Sequence, residues 1–285
     1  MKVIQDPGSM QEISEFLRCR GKSIGFVPTM GFLHRGHVSL INKARSENDK
    51  VIVSIYVNPT QFLPGEDLDK YPRDFERDYV MCEQAGVDYI FKPEQMYKDG
   101  HLTTVTVTEI SDKLEGRYRP GHFTGVATVV LKLFNITKPH KAYFGQKDAQ
   151  QVVVLKKMAD DLNCDTEIVV SETVREQSGL AMSSRNSYLE SIQTAQAGEI
   201  NKALDEAKTL VLEGRARNSS EVIEYISRYI STQAPMGSIQ YIAVTDNTNL
   251  NDIINLSVYK GEVLISLAVK FGSTRLIDNI LFNKS

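Results

Sequence analysis

KSIGFVPTMGFLHRGHVSL, residues 22–40, runs from an apolar stretch through a glycine-bounded loop into helical spacing. Ile24, Phe26 and Val27 read as a buried strand, and Val38, Ile41 and Ala44 recur at the three-residue step of a helix face. A strand feeding a glycine loop and then a helix is the repeating unit of an open α/β sheet. Ligands of such sheets sit beyond the carboxyl ends of the strands, where the loop Met30–His37 would lie.

The same rhythm continues outward. KVIVSIYVNP is rich in β-branched residues and stops at Pro59; DFERDYVMCEQAG reads as a helix ended by Gly86; VDYIFKP returns as a strand. TTVTVTEI alternates as a half-exposed strand would. GVATVVLKLFNIT predicts a helix, KAYFG a short strand, Lys147 to Asp161 a helix and TEIVVSETV a strand. Alternating units of this kind predict a parallel sheet covered by helices. After Val174 the composition turns polar in REQSGLAMSSRN. TAQAGEINKALDEAKTLVLEG and NSSEVIEYISRYIS then read as amphipathic helices, the second opened by a cap of Asn218 with Glu221. SIQYIAVTD and GEVLISLAVKFG read as strands. The fold class is therefore α/β: a Rossmann-like parallel-sheet domain over residues 1–174 and a smaller α+β domain over 175–285.

With 285 residues, 41% hydrophobic and 24% charged, the chain can bury a sizeable core. A net charge of −3 offers no global attraction to nucleic acid or to an anionic membrane. No run of 18 apolar residues occurs, and MKVIQDPGSM lacks the apolar stretch of a signal peptide. Cys19, Cys82 and Cys164 are odd in number and far apart, which predicts reduced thiols in a cytoplasmic protein.

The histidine loop has the glycine spacing of a P-loop, but His37 stands where lysine would be and Val38 where a Mg²⁺-binding hydroxyl would be. A structural zinc site needs four close ligands, and the cysteines lie elsewhere. What remains is anion binding. If a helix begins near Gly36, His37 sits in its first turn and His34 just before it, beside unsatisfied backbone N–H groups. Imidazoles placed there can donate to phosphate oxygens and stabilise charge building on phosphorus.

PTMGFLHRGHVSL, VSIYVNPTQF, YPRDFERD, EGRYRPGHFTGVATVVLKLFNI, AYFGQKDAQQ and GLAMSSRNSYL, in that order from Ile24 to Leu189, resemble the pantoate–β-alanine ligase (pantothenate synthetase) family. This is a branch of the HxGH nucleotidyltransferase superfamily. The resemblance implies an ATP-dependent, AMP-forming carbon–nitrogen ligase that condenses pantoate with β-alanine through a pantoyl adenylate. It also implies Mg²⁺ accompanying ATP, no tightly bound organic cofactor, and a homodimer.

The resemblance assigns Met30, Gly31, Phe32, Leu33, His34, Arg35, Gly36 and His37 to the nucleotide loop, with His34, His37 and Lys147 as the catalytic set. His37 is read as an electrostatic stabiliser, since a carboxylate nucleophile has no proton to give up. Gln61 and Gln151 would bind pantoate, joined by Asn58 and Arg119, and Gln61 would also contact β-alanine. Gly145, Gln146, Lys147 and Asp148 would meet the triphosphate, with Asp148 holding Mg²⁺ directly or through water. Lys147, four residues before Gln151, would share a helix face with it. Met182, Ser183, Ser184 and Arg185 would form a second ATP loop, with Val174 at the adenine.

Three positions depart from the commonest strings: Arg35 inside HxGH, Gln146 for a frequent glutamate, and Ser178 for an aspartate before GLA. Two other readings remain: nucleotidyl transfer to an alcohol phosphate on the same fold, and a non-catalytic nucleotide sensor or RNA-binding relative of the synthetases, RNA binding being opposed by the net charge of −3. The NPTQF and RPGHF strings oppose the first, and the intact histidines, Lys147 and both glutamines oppose the second.

Overall fold

The computed structural model describes residues 1–285. The chain forms two compact units, Met1–Gly145 with Val154–Glu172 and Gln146–Val153 with Thr173–Ser285. No helix is long and apolar enough to cross a membrane.

The first unit runs β1 (Lys2–Ile4), α1 (Pro7–Cys19), β2 (Ile24–Thr29), α2 (Arg35–Glu47), β3 (Lys50–Ile55), α3 (Phe75–Gln84) and β4 (Tyr89–Phe91). It continues through α4 (Leu114–Tyr118), α5 (His122–Thr137) and β5 (Lys141–Gly145), takes in the later part of α6 (Ala149–Asp161), and ends on β6 (Glu167–Ser171). All six strands pair in parallel in the order β1-β4-β3-β2-β5-β6. The central strands are buried on both faces, which is why they read as continuous apolar runs. Phe26, Val27, Ile52, Val53 and Ile90 are fully buried, each worth about 1.5–3 kcal/mol by area removed from water. Because β2 and β5 are neighbours and parallel, the loop after Thr29 and the end of β5 at Gly145 leave the same edge of the sheet. The chain turns outward in opposite directions from that point, the usual place for a ligand in such a sheet.

The stretch TTVTVTEI is not a strand. Its alternation is real, but the Val105 amide donates to Thr128 Oγ1 at 2.9 Å and Thr106 pairs with Thr124, so it lies along α5 and not in a sheet. Alternation reports a two-faced extended chain and carries no information about a partner edge.

The second unit holds α7 (Ser191–Ala197), α8 (Glu199–Leu212), α9 (Ser219–Gln233), β7 (Gly237–Asp246), β8 (Gly261–Phe271) and β9 (Thr274–Lys284). The three strands form an antiparallel sheet in the order β7-β8-β9. Its core gathers Ala203, Leu204 and Ala207 of α8, Val222, Ile226 and Ile230 of α9, and Val263, Ile265, Leu267 and Val269 of β8. The helix predicted from Thr194 to Gly214 is two helices meeting at Gly198, where a Cβ would lie 2.4 Å from the Ser178 carbonyl oxygen. The predicted cap holds: Asn218 Oδ1 accepts from the Glu221 amide at 3.0 Å.

Candidate functional site

In the first unit, α2 begins at Arg35 with His34 as its N-cap, so both histidines stand at the N-terminus of a helix that buries Leu40, Ile41 and Ala44, as the spacing predicts. Their rings lie 4.0 Å apart, tilted by 32°. The His34 amide donates to His37 Nδ1 at 3.3 Å. A ring nitrogen that accepts carries no proton, so neutral His37 has its N–H on Nε2.

The preceding turn is unusual. Gly31 and Phe32 both have left-handed backbone, φ 82° and 50°, the second without glycine's freedom. Two side chains of α3 hold it there. Asp78 accepts the Phe32 amide at 2.8 Å through Oδ2 and the Leu33 amide at 2.6 Å through Oδ1. Arg77 donates to the Leu33 carbonyl at 3.1 Å, and its guanidinium lies 5.0 Å from the centre of the Phe32 ring. Asp78 is 1% exposed. Burial pushes its carboxyl above the ordinary aspartate range and outweighs the two amide bonds, which act the other way. The same surroundings push the Cys82 thiol up to about 12, chiefly by burial, which makes it inert.

Gln61 sits in a short 3₁₀ turn, Pro59–Gln61, just after β3. Asn58 Nδ2 donates to Gln61 Oε1 at 3.1 Å and to the Gly125 carbonyl at 3.2 Å, while Asn58 Oδ1 accepts from Thr60 and Tyr97 hydroxyls, each at 3.0 Å. Asn58 is 1% exposed, and both of its donors and both lone pairs are in use. Its side-chain donors and lone pairs are thus engaged by protein, two of the partners being Gln61 and Thr60 of the same turn. Gln61 Nε2 faces Met30 Sδ at 3.2 Å. A Cβ on Gly125 would meet the Thr60 carbonyl oxygen at 2.4 Å, so glycine is what lets α5 press against this turn.

Arg119 is likewise committed to protein. Its Nε and Nη2 each donate to Glu66 at 2.7 Å, and Nη2 also reaches the Gln61 carbonyl at 3.3 Å. Nη1 lies 3.0 Å from His122 Nε2; arginine can only donate, so Nε2 accepts and Nδ1–H donates to the Gln61 carbonyl at 2.7 Å. Burial opposes ionisation of Glu66, but the bonds and charge of Arg119 outweigh it and hold the carboxyl below its ordinary range. Arg119 thereby clamps the backbone carbonyl of Gln61.

In the second unit, Gln146–Asp148 form a 3₁₀ turn, and α6 proper starts at Ala149. Lys147 and Gln151 therefore do not share one continuous α-helical face, contrary to expectation. Lys147 Nζ lies 3.6 Å from Asp148 Oδ1, with the two side chains 20% and 46% exposed. Nowhere do three His, Cys, Asp or Glu side chains gather as a metal cage. A lone half-exposed carboxylate suits Mg²⁺ brought in with a triphosphate, since that ion takes few protein ligands and keeps phosphate and water oxygens.

Val174 and Met182 are joined by a 2.9 Å bond from the Met182 amide to the Val174 carbonyl, and Arg175 bridges Ala181. Ser183 caps the 3₁₀ turn Ser184–Tyr188 by accepting from the Arg185 amide at 3.3 Å. Asn186 ties the segment across, donating to Glu176 at 2.7 Å and to the Ala181 carbonyl at 3.1 Å. The polar segment after Val174 is thus internally braced.

Asp78, Glu66 and Asn279, described below, escaped the sequence reading. Asp78 left a trace: it stands four residues before buried Cys82, on the helix face where an apolar residue belongs.

A model of the Pantoate-beta-alanine ligase family matches residues 2–281. The pantothenate synthetase of Acetivibrio thermocellus is 50% identical over 283 residues, 99% of each chain. Among solved structures, the pantothenate synthetase of Thermus thermophilus superposes with a TM-score of 0.90 at 39% identity, covering 98% of this chain and 99% of that one. The Francisella tularensis pantoate–β-alanine ligase, complexed with β-γ ATP and β-alanine, gives 0.78 at 38% identity, covering 99% and 97%.

Proposed function

This chain belongs to the pantoate–β-alanine ligase family, and from that premise we propose how its residues divide the work of joining pantoate to β-alanine. It is an ATP-dependent, AMP-forming ligase. A carboxylate oxygen of pantoate attacks the α-phosphorus of ATP, and pyrophosphate leaves. The amine of β-alanine then attacks the acyl carbon of the pantoyl adenylate and loses a proton. AMP departs with the electron pair of the broken C–O bond.

In-line attack at phosphorus asks the protein mainly for position and charge stabilisation. The observation that carries this reading is the Nδ1 of His37 accepting a backbone amide, which puts the ring N–H on Nε2 beside the first turn of α2. That donor is suited to an oxygen on which charge builds in the transition state, and His34, with the Arg35 and Gly36 amides of the first turn of α2, to the phosphates beside it. Gln61 turns its amide nitrogen to pantoate and the β-alanine position, with Gln151 as the second pantoate amide. Asn58 and Arg119 serve by fixing Gln61.

Lys147 neutralises phosphate. Mg²⁺ entering with ATP supplies further neutralisation of the triphosphate, and Asp148 is the residue that would hold it. Val174 and the Met182–Arg185 segment serve the nucleotide. The family resemblance supports a homodimer. The family resemblance favours action in the cytoplasm, and the net charge of −3 offers no global attraction to nucleic acid or an anionic membrane.

Isotope exchange between pyrophosphate and ATP tests the order of steps. Exchange is expected with pantoate alone, and pantothenate only after β-alanine is added. Exchange demanding an alcohol phosphate acceptor, or nucleotide binding without exchange, would overturn the ligase reading.

A further inference from the structure

Strand β9 carries two adjacent buried polar residues, Asp278 and Asn279, 5% and 4% exposed, in a position where a small sheet normally buries hydrocarbon. Successive residues of a strand face opposite ways. Asp278 falls on the face shared with core residues Leu276 and Phe282, and there it holds Arg175 through two bonds of 2.6 and 3.0 Å. Arg175 in turn donates to the Gly179 carbonyl at 3.1 Å and bridges Ala181, so this pair anchors the base of the Val174–Met182 loop.

Asn279, on the other face, donates from Nδ2 to the carbonyls of both Gln146 and Lys147, each at 2.9 Å. Two carbonyl oxygens can only be met by the NH₂ end, which turns Oδ1 toward Gln146 Nε2 at 3.1 Å. Every valence of the amide used here points at the segment that carries Lys147.

We propose that Asn279 is a positioning residue for adenylation: it fixes the Gln146–Lys147 backbone and so aims the Lys147 ammonium at the nucleotide's phosphates. Gln146 is part of the device. A glutamate there would set a carboxylate against Asn279 Oδ1, so glutamine keeps both amide protons on the backbone. The inference rests on the reading of Lys147 as a phosphate ligand, and the test separates the two.

Asn279→Ala is expected to raise the KM for ATP and lower the pantoate-dependent exchange rate, roughly tenfold to a hundredfold in kcat/KM, the usual effect of misplacing a group by about 1 Å. KM for pantoate, and single-turnover aminolysis of bound pantoyl adenylate by β-alanine, should stay within about twofold, because Lys147 acts on departing phosphates and not on the acyl carbon. Asn279→Asp keeps the volume and loses the donors, so it gives the same split if the alanine variant fails to fold. On a Lys147→Ala background, Asn279→Ala should cost no more than about twofold further. Equal loss in both half-reactions, or the full loss repeated on that background, would overturn the proposal while leaving Lys147 in place. Wild-type exchange by Lys147→Ala alone would overturn the Lys147 reading and this inference with it.

Discussion

Asn58 donates a hydrogen bond to the side-chain oxygen of Gln61 at 3.1 Å, and that bond decides which end of the glutamine amide is left to donate. Held that way, Gln61 keeps its oxygen against Asn58 and turns its nitrogen toward Met30 Sδ. Asn58 receives its own orientation from Tyr97 and Thr60, whose hydroxyls occupy Oδ1. Replacing Asn58 by aspartate keeps the shape and the acceptor for the Thr60 and Tyr97 hydroxyls but sets oxygen against Gln61 Oε1 and the Gly125 carbonyl, forcing the glutamine amide to turn over. Asn58→Asp should therefore lower kcat/KM for pantoate about tenfold or more, equivalent to losing roughly 1.4 kcal/mol of hydrogen bonding. Steady-state kinetics with pantoate as the varied substrate would measure it. An unchanged KM and kcat would mean that Gln61 does not present its nitrogen to substrate.

Asp78 does for the Met30–His37 loop what Asn58 does for Gln61. Its two oxygens take the Phe32 and Leu33 amides, and without them Phe32 has no reason to remain at φ 50°. Asn in its place can accept with one atom only and turns NH₂ against a donor. Asp78→Asn should thus raise the KM for ATP and shift thermal unfolding downward by an amount corresponding to about 1–3 kcal/mol, the cost of one unsatisfied buried donor. Pantoate affinity should hardly move. Calorimetry of ATP binding and a thermal melt read the two effects separately.

The Glu66–Arg119 clamp predicts a pH signature. Its folded-state carboxyl lies below the ordinary glutamate value of 4.5, so the unfolded chain takes up the proton first as pH falls. The stability from this pair is complete above that ordinary value and drains away as pH drops through the depressed one. Glu66→Gln removes the titration. The difference in unfolding stability between wild type and this variant should be constant from pH 7 down to about 5 and shrink in more acid solution. Denaturant titrations at several pH values measure it, and a difference that grew toward acid would contradict this account.

Much of the first unit was legible because its strands are buried on both faces and so appear as unbroken apolar runs: Ile24–Thr29 and Lys50–Ile55 needed no context. The histidine loop was legible for a local reason too, since glycine and an N-terminal helix turn lie within one short stretch. What escaped were features whose cause lies far along the chain. β9 contains Asp278 and Asn279 where alternation would want apolar residues, because it serves loops more than a hundred residues away in sequence. TTVTVTEI displayed a strand's alternation and has no strand to pair with. Arg119 has the right chemistry for an anion, and only its proximity to Glu66 shows where that charge is spent. Local pattern specifies elements; long-range pairing decides what a polar residue is for.

His37 offers the most direct separation of roles. Its Nδ1 is occupied by the His34 amide, so any work on phosphate falls to Nε2. A glutamine side chain can place an amide N–H near the Nε2 position of a histidine, whereas an asparagine reaches only as far as Nδ1. His37→Ala should reduce pyrophosphate exchange by roughly 10²–10³-fold, the usual consequence of deleting one transition-state donor. His37→Asn should be nearly as impaired, since it replaces the bond that orients the ring and not the one that stabilises charge. His37→Gln should recover about tenfold over alanine. If the asparagine variant were the better of the two, the function of this histidine would be to cap α2, and charge stabilisation at the α-phosphorus would have to come from elsewhere.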